Sequence, residues 1–214
     1  MTEPPSYDET LLAERLRELS TWQRSAVAAS SAQRLAPSFR RYAEIEGQDA
    51  GRTEVVQDAL DLLWRRLSGH EVSNQDLTSL ADNSEAAVPG EDEWNEWADL
   101  AEHAAAATVY AIRSWLTGDV DSVVWAVRQA YHAADLVASA QLDPAIIDEA
   151  AEGHLRESES VRREDRNRAE DIRAVEAAPG GDAGTVAELR TRSTAAAQRL
   201  IDEAALVWTV DPLS

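Results

Sequence analysis

The residues best spaced for chemistry are two histidines and two aspartates in the stretch 98–140. His103 lies 15 residues before Gly118 and His132 14 residues after it, so a chain folded back at that glycine sets both at one height on facing helices. Asp99 stands one helical turn before His103, and Asp135 three residues after His132. Helical bundles build metal sites from a carboxylate and an imidazole one turn apart on facing helices. Asp99, His103, His132 and Asp135 are therefore the candidate metal ligands, and hydrogen-bonded or exposed side chains are the competing reading of the same spacing. His70, after a helix-ending glycine, and His154, in a polar helix, read as surface residues.

Two further arrangements stand out. Asp61 sits inside the apolar run Leu60-Asp61-Leu62-Leu63-Trp64, where an ion pair to Arg34 or Arg41 on a neighbouring helix is expected, because a buried charge needs a partner. A catalytic carboxylate is the alternative reading. Of the seven tryptophans, Trp94 and Trp97 lie among Glu91, Asp92, Glu93 and Glu96 at the start of a helix. These six residues form the candidate partner surface, with core packing as the alternative for the tryptophans. No glycine-rich phosphate loop, HExxH, GxSxG or dinucleotide fingerprint occurs, so no catalytic residue is assigned and no cofactor is expected. The absence of cysteine excludes disulfides, thiolate nucleophiles and cysteine-ligated metals.

Charge narrows the partners. The 40 acids and 20 bases give a formal charge of −20, and all 20 bases are arginine. Between Arg66 and Arg113 there is no base, whereas Glu71, Asp76, Asp82, Glu85, Asp99 and Glu102 lie there with the acids around Trp94. Such a stretch repels nucleic acid and anionic lipid and attracts a basic protein; a purely solubilising role is the competing reading. No apolar run reaches the roughly 18 residues of a membrane span, and the first ten residues lack the pattern of a signal peptide. A cytoplasmic location is expected.

The elements that must position these residues read as helices throughout. The run 98–140 predicts an antiparallel hairpin, with Gly118 as the left-handed residue at the bend and Asp119 or Asp121 capping the second arm. Residues 1–7, with Pro4-Pro5, read as a flexible arm. A helix is predicted from near Asp8 with Leu11, Leu12, Leu16 and Leu19 as its stripe, then a second from Trp22 to about Leu35, capped at Ser20-Thr21. Pro37 is expected to stop or bend it and to open a short helix to Glu46. Thr53 is expected to cap the helix that carries Val56, Leu60, Leu63 and Leu67, after a loop framed by Gly47 and Gly51. Asn74 is expected to cap a brief helix, 75–82, before a loop over 83–93. After the hairpin, Asp143-Pro144 predicts one long helix to about Ala177, docked by Ile146, Ile147 and Leu155 and largely solvated from Arg156 onward, with Glu159–Arg163 and Glu164–Arg168 paired at i, i+4. Residues 179–184 read as a linker, and 185–214 as an additional helix and tail in which Leu206, Val207 and Trp208 tuck back on the body.

Several stretches together resemble one bacterial family, the domain of unknown function 416 family. They are Leu16 and Trp22; Arg34-Leu35-Ala36-Pro37-Ser38-Phe39 with Tyr42; Gly47 and Gly51; Leu60 to Trp64 with Leu67; Ala86-Ala87-Val88-Pro89; and Leu116-Thr117-Gly118. Ala36 and His103 depart from the family's pattern. The resemblance spans roughly residues 14–178 and implies a compact all-helical fold for residues 8–178; it implies no reaction.

The expected architecture is all-α, a compact bundle of about seven or eight helices around the central hairpin. The expected function is a non-enzymatic protein-interaction or regulatory module with an acidic surface, binding a protein that carries basic charge, with a homodimer as one option. The alternatives are a metal-binding helical bundle or metal-dependent enzyme using the hairpin ligands, and an acidic inhibitor or immunity-type protein.

Overall fold

A computed structural model of the chain describes residues 7–90, 95–142, 153, 155 and 157–208. Eight helices occur among them, α1 (Glu9–Arg17), α2 (Thr21–Ile45), α3 (Ala50–Leu67), α4 (Asn74–Ala86), α5 (Ala98–Thr117), α6 (Val120–Ala140), α7 (Glu159–Ala177) and α8 (Ala183–Val207), and no strand. The central element is α2, against which α3, α5, α6, α7 and α8 all pack. Helix α4 lies on α3 and α5, and α1 on α6.

Helix α2 starts where Ser20 and Gln23 form a capping box, Ser20 Oγ accepting from the Gln23 amide and Gln23 Oε1 accepting from that of Ser20. Gln23 Nε2 then donates to the Val175 carbonyl at 2.7 Å, which ties the end of α7 to the start of α2. The next turns carry Ser25, Ala26, Ala28, Ala29, Ser30, Ser31 and Ala32, all fully buried. Side chains this small let neighbouring helices approach from every side at interior density. The expected stop at Pro37 does not occur, because α2 runs 25 residues straight through it. An internal proline costs a helix about 3 kcal/mol; here Leu35, Ala36, Ser38 and Phe39 around it are all buried, and each large apolar side chain held from water returns about 1.5–3 kcal/mol.

Two caps differ from expectation. Asp49 rather than Thr53 caps α3, so Gly51 lies inside the helix and the Thr53 hydroxyl donates back to the Asp49 carbonyl at 2.9 Å. Ser73 rather than Asn74 caps α4, which continues to Ala86 where a loop is expected. Gly118 and Asp119 act as expected, Gly118 taking φ 72° at the hairpin bend and Asp119 accepting from the Ser122 amide, and α1, predicted from near Asp8, is capped by that residue.

The largest corrections concern the C-terminal third. The beginning of the expected long helix, with Asp143, Pro144, Ile146 and Ile147, lies outside the described residues. Residues 157 and 158 interrupt the helix, and α7 begins afresh with Ser158 as its cap. Its face toward the body is not solvated: Ser160, Val161, Glu164, Asp165, Arg168, Asp171, Ile172 and Val175 are all buried. Neither expected i, i+4 pair forms; Arg163 pairs with Glu203 of α8 and Glu164 with Arg34 of α2. Helix α8, capped by Asp182, buries Val186, Leu189, Leu200 and Ala204 in the same core cluster as α2 and α5. Beyond it Trp208 meets Trp97 edge-on at 5.7 Å, whereas Leu206 is 80% exposed.

Docking of α8 passes through Gly181, whose φ is 65° and whose neighbour is the Trp22 ring, itself fixed by a 2.9 Å bond from Nε1 to the Leu67 carbonyl. A Cβ on Gly181 would meet that ring at 2.6 Å, whereas one on Gly118 would meet only the rotatable Thr21 hydroxyl at 3.3 Å. Gly118→Ala is expected to lose about 1–2 kcal/mol for the left-handed backbone, and Gly181→Ala distinctly more. Thermal denaturation of the two variants checks the order; equal losses would contradict the Trp22 contact.

Candidate functional site

The hairpin brings its histidines together. The rings of His103 and His132 stand 5.9 Å apart between centroids, edge to face, and His103 Nδ1 lies 2.7 Å from Gln129 Oε1. That carbonyl oxygen can only accept, so Nδ1 carries the hydrogen. Partial burial pushes the His132 pKa down, with the charges of His103 and Arg128 adding to the effect. Burial pushes Asp135 up, against the pull of His132. Asp99 is exposed on α5. Among the described residues no group of three or more His, Asp or Glu side chains is placed to hold a metal ion.

The expected partner surface divides. Glu91, Asp92, Glu93 and Trp94 lie outside the described residues. Trp97 is 1% exposed, packed against Trp208 and 6.0 Å from the Arg41 guanidinium, and this core position removes it from any contact surface. Glu96, just before α5, is exposed, as are Asp99 and Glu102 on α5 and Asp76, Asp82 and Glu85 on the adjoining α4. Arg113 reaches Glu85 at 3.0 Å at one edge of this face.

Sequence reasoning missed a buried ionic cluster at the middle of α2. Arg34, 3% exposed, donates to Glu164 at 2.7 Å and to Asp171 at 2.6 Å, both on α7. Burial by itself would lower the Arg34 pKa; the two carboxylates more than reverse it and hold the guanidinium charged. Asp171 also accepts from Arg192 of α8 at 2.6 Å, so one carboxylate clamps three helices. Beside the cluster Asp165, 7% exposed, is ion-paired through Oδ1 with Arg168 at 2.9 Å. Burial pushes the Asp165 pKa up to about 6, against the pull of Arg168 and with Glu164 adding to the rise. The signal was present in the sequence: positions 161, 164, 165, 168, 171, 172 and 175 share one helical face, so the charges lie on the stripe that Val161, Ile172 and Val175 mark as inward.

Asp61 does form an ion pair between helices, but with Arg190 of α8 rather than Arg34 or Arg41, and about half exposed. It ends a polar chain in which Trp64 Nε1 donates to Gln33, Gln33 to Gln57 and Gln57 to Asp61. These groups satisfy one another, which suits cross-linking of α2, α3 and α8 better than proton transfer. The cavity touching Arg34, Glu164 and Asn167 holds about 20 Å³, room for one water.

An all-helical fold wound on one buried central helix, with a buried ionic cluster joining three of its helices, sets the structural class. Within that class the chain belongs to the family described as protein of unknown function (DUF416), whose model matches residues 12–198. It is similar in fold to the crystal structure of a DUF416 family protein from Shewanella baltica OS155, at 19% sequence identity over 85% of this chain and 92% of that one, with a TM-score of 0.72. No curated protein matches the chain. The family match takes in most of α8, the helix expected to lie beyond it. Among the described residues no helix is long and apolar enough to cross a membrane.

Two measurements check the ionic cluster. Arg34→Ala strands Glu164 and Asp171 without their cation and is expected to cost about 3–5 kcal/mol in urea unfolding; a loss under 1 kcal/mol would mean water already compensates the carboxylates. Asp165 has a raised folded pKa, so the folded state holds its proton over a range where the unfolded chain has released it. Its contribution therefore weakens as pH rises from about 4 through about 6, and the penalty is complete above that. Asp165→Asn is expected to gain about 1–3 kcal/mol at pH 7.5 and to flatten the pH dependence between 4 and 6. An unchanged pH profile would contradict the assignment.

Proposed function

We propose that this protein is a non-enzymatic interaction or regulatory module of the cytoplasm that takes a basic protein segment on the acidic face of α4 and α5. The observation that carries the reading is the exposure of Asp76, Asp82 and Glu85 on α4, of Asp99 and Glu102 on the adjoining α5 and of Glu96 just before it, in a chain stretch with no base between Arg66 and Arg113. Carboxylates grouped on one face raise the encounter rate with a cationic partner, and they reject nucleic acid and anionic lipid by the same field. The interior supports the reading from the other side, because its ionic groups are spent on one another and the cavity among them admits a single water.

The test is capture of proteins from the producing cell on immobilised wild type and on the variant Asp76→Asn, Asp82→Asn, Asp99→Asn, Glu102→Gln. A specific basic protein is expected to be retained by the wild type, lost from the variant, and released as salt rises from about 0.05 to 0.3 M, over which the screening length falls by more than half. Identical retention on both proteins, or binding indifferent to salt, would sink the proposal.

A further inference from the structure

Helix α1 is the least integrated element of the fold. It buries Leu12 and Leu16, with Leu19 just beyond its end, while Leu11 is 58% exposed. A nine-residue helix does not persist alone in water, so α1 is helical only while seated. Its packing is incomplete along both edges. A cavity of about 110 Å³ lies between Leu11 and Leu12 and the α7 residues Ala169 and Ile172. On the other side an open depression of about 260 Å³ separates Thr10 and Ala13 from Val124 and Trp125 of α6.

What fixes α1 is apolar, with Leu12, Leu16 and Leu19 in the main core cluster, and also polar, through ion pairs that water reaches. Arg128 of α6 holds Glu9 through two bonds of 2.5 Å, and Arg15 holds Glu176 of α7 through bonds of 2.9 and 2.8 Å. All four of these side chains are between 34% and 43% exposed, so salt weakens both pairs. Just before the helix, the Tyr7 ring stacks on Tyr131 at 4.5 Å with the Arg168 guanidinium 5.2 Å away. The seat is thus a template: apolar sockets for leucines at i, i+4 and i+7, a cation near the first turn and a carboxylate near the second. Grooves that read amphipathic helices use anchors at this spacing.

We propose that α1 is a displaceable self-ligand, and that its seat on α6 and α7 binds an amphipathic helix of a partner protein. Charge and register define that helix. It carries leucines in the pattern of Leu12, Leu16 and Leu19, an acid three residues before the first leucine to meet Arg128, and a base three residues after it to meet Glu176. Affinity for such a helix is set by how often α1 vacates the seat, because the closed form must open first.

The test uses the full chain, its variants Glu9→Arg and Arg128→Glu, and a fluorescent peptide of residues 7–20 as the probe, with hydrogen exchange read in parallel. Glu9→Arg loosens α1 and leaves the seat intact, so it is expected to bind the peptide about tenfold tighter than wild type. Arg128→Glu is expected to reverse the preference, taking a peptide with Glu9→Arg about tenfold tighter than the natural one. The amides of α1 are expected to exchange ahead of those of α2 in wild type, and faster still in Glu9→Arg. No peptide binding to Glu9→Arg while its α1 amides exchange freely would overturn the proposal, as would α1 exchange only through global unfolding. A dimer formed on mixing the two variants, without peptide capture, would overturn it in favour of α1 exchange between copies of this chain.

Discussion

Arg34 occupies the middle of a helix that other helices cover on every side, and it is 3% exposed. A guanidinium does not release its proton at any ordinary pH, so burial leaves it one recourse, which is to draw in counter-charge. Two carboxylates of α7 answer it, and the second of them, Asp171, needs more positive charge than Arg34 alone supplies and reaches Arg192 of α8. The positions of α7 and α8 on α2 follow from that chain of compensation. Each link is short and geometrically strict, which apolar contact between the same helices would not be. The apolar residues of α7, only Val161, Ile172 and Val175 on the inward face, would by themselves leave its register on α2 loosely determined.

The rest of the core obeys a steric rule. The first half of α2 is built of alanine and serine, and it meets Ala104, Ala107 and Ala111 of α5 and Ala126, Ala130 and Ala133 of α6, all buried. Close approach leaves no volume for water, so the buried hydroxyls bond within reach: Thr108 to the Ala104 carbonyl, Ser31 to that of Val27, and Ser114 to the Ala111 carbonyl and Ser25 Oγ. Bulk is confined to the other end of α2, where Phe39 and Tyr42 are fully buried, as are Trp64 and Trp97. Among the described residues the middle of α2 borders a cavity of only about 20 Å³.

The sequence carried most of this fold and little of its ionic wiring. The hairpin was legible because Gly118 and Asp119 act through their own backbone and cap, which need no knowledge of tertiary neighbours. Pro37 misled because the local penalty of a proline is readable and the burial that outweighs it is not. The charged half of α7 misled more deeply. Alternating acids and bases on a helix ordinarily mark a solvated face, and nothing local says that Glu164 and Asp171 have a partner 130 and 137 residues away. The histidine pair was legible in height, since residue counts from a bend fix it; whether Asp99 turned toward the pair depended on helix phase, and its side chain is exposed.

Charge is distributed unevenly by the same pairing. At least eleven of the twenty arginines engage carboxylates within the chain: Arg15, Arg34, Arg40, Arg41, Arg113, Arg128, Arg163, Arg166, Arg168, Arg190 and Arg192. Seven of these lie on α1, α6, α7 or α8, and five of the seven bind one helix to the next. Helix α4 has no arginine and α5 only Arg113, so their carboxylates face solvent with little cationic cover. The structural demand that concentrates arginine around α7 and α8 therefore leaves α4 and α5 with more carboxylates than arginines. Exposed carboxylates left without a cation in this way need no separate design, and their field extends about one Debye length, near 8 Å at physiological ionic strength.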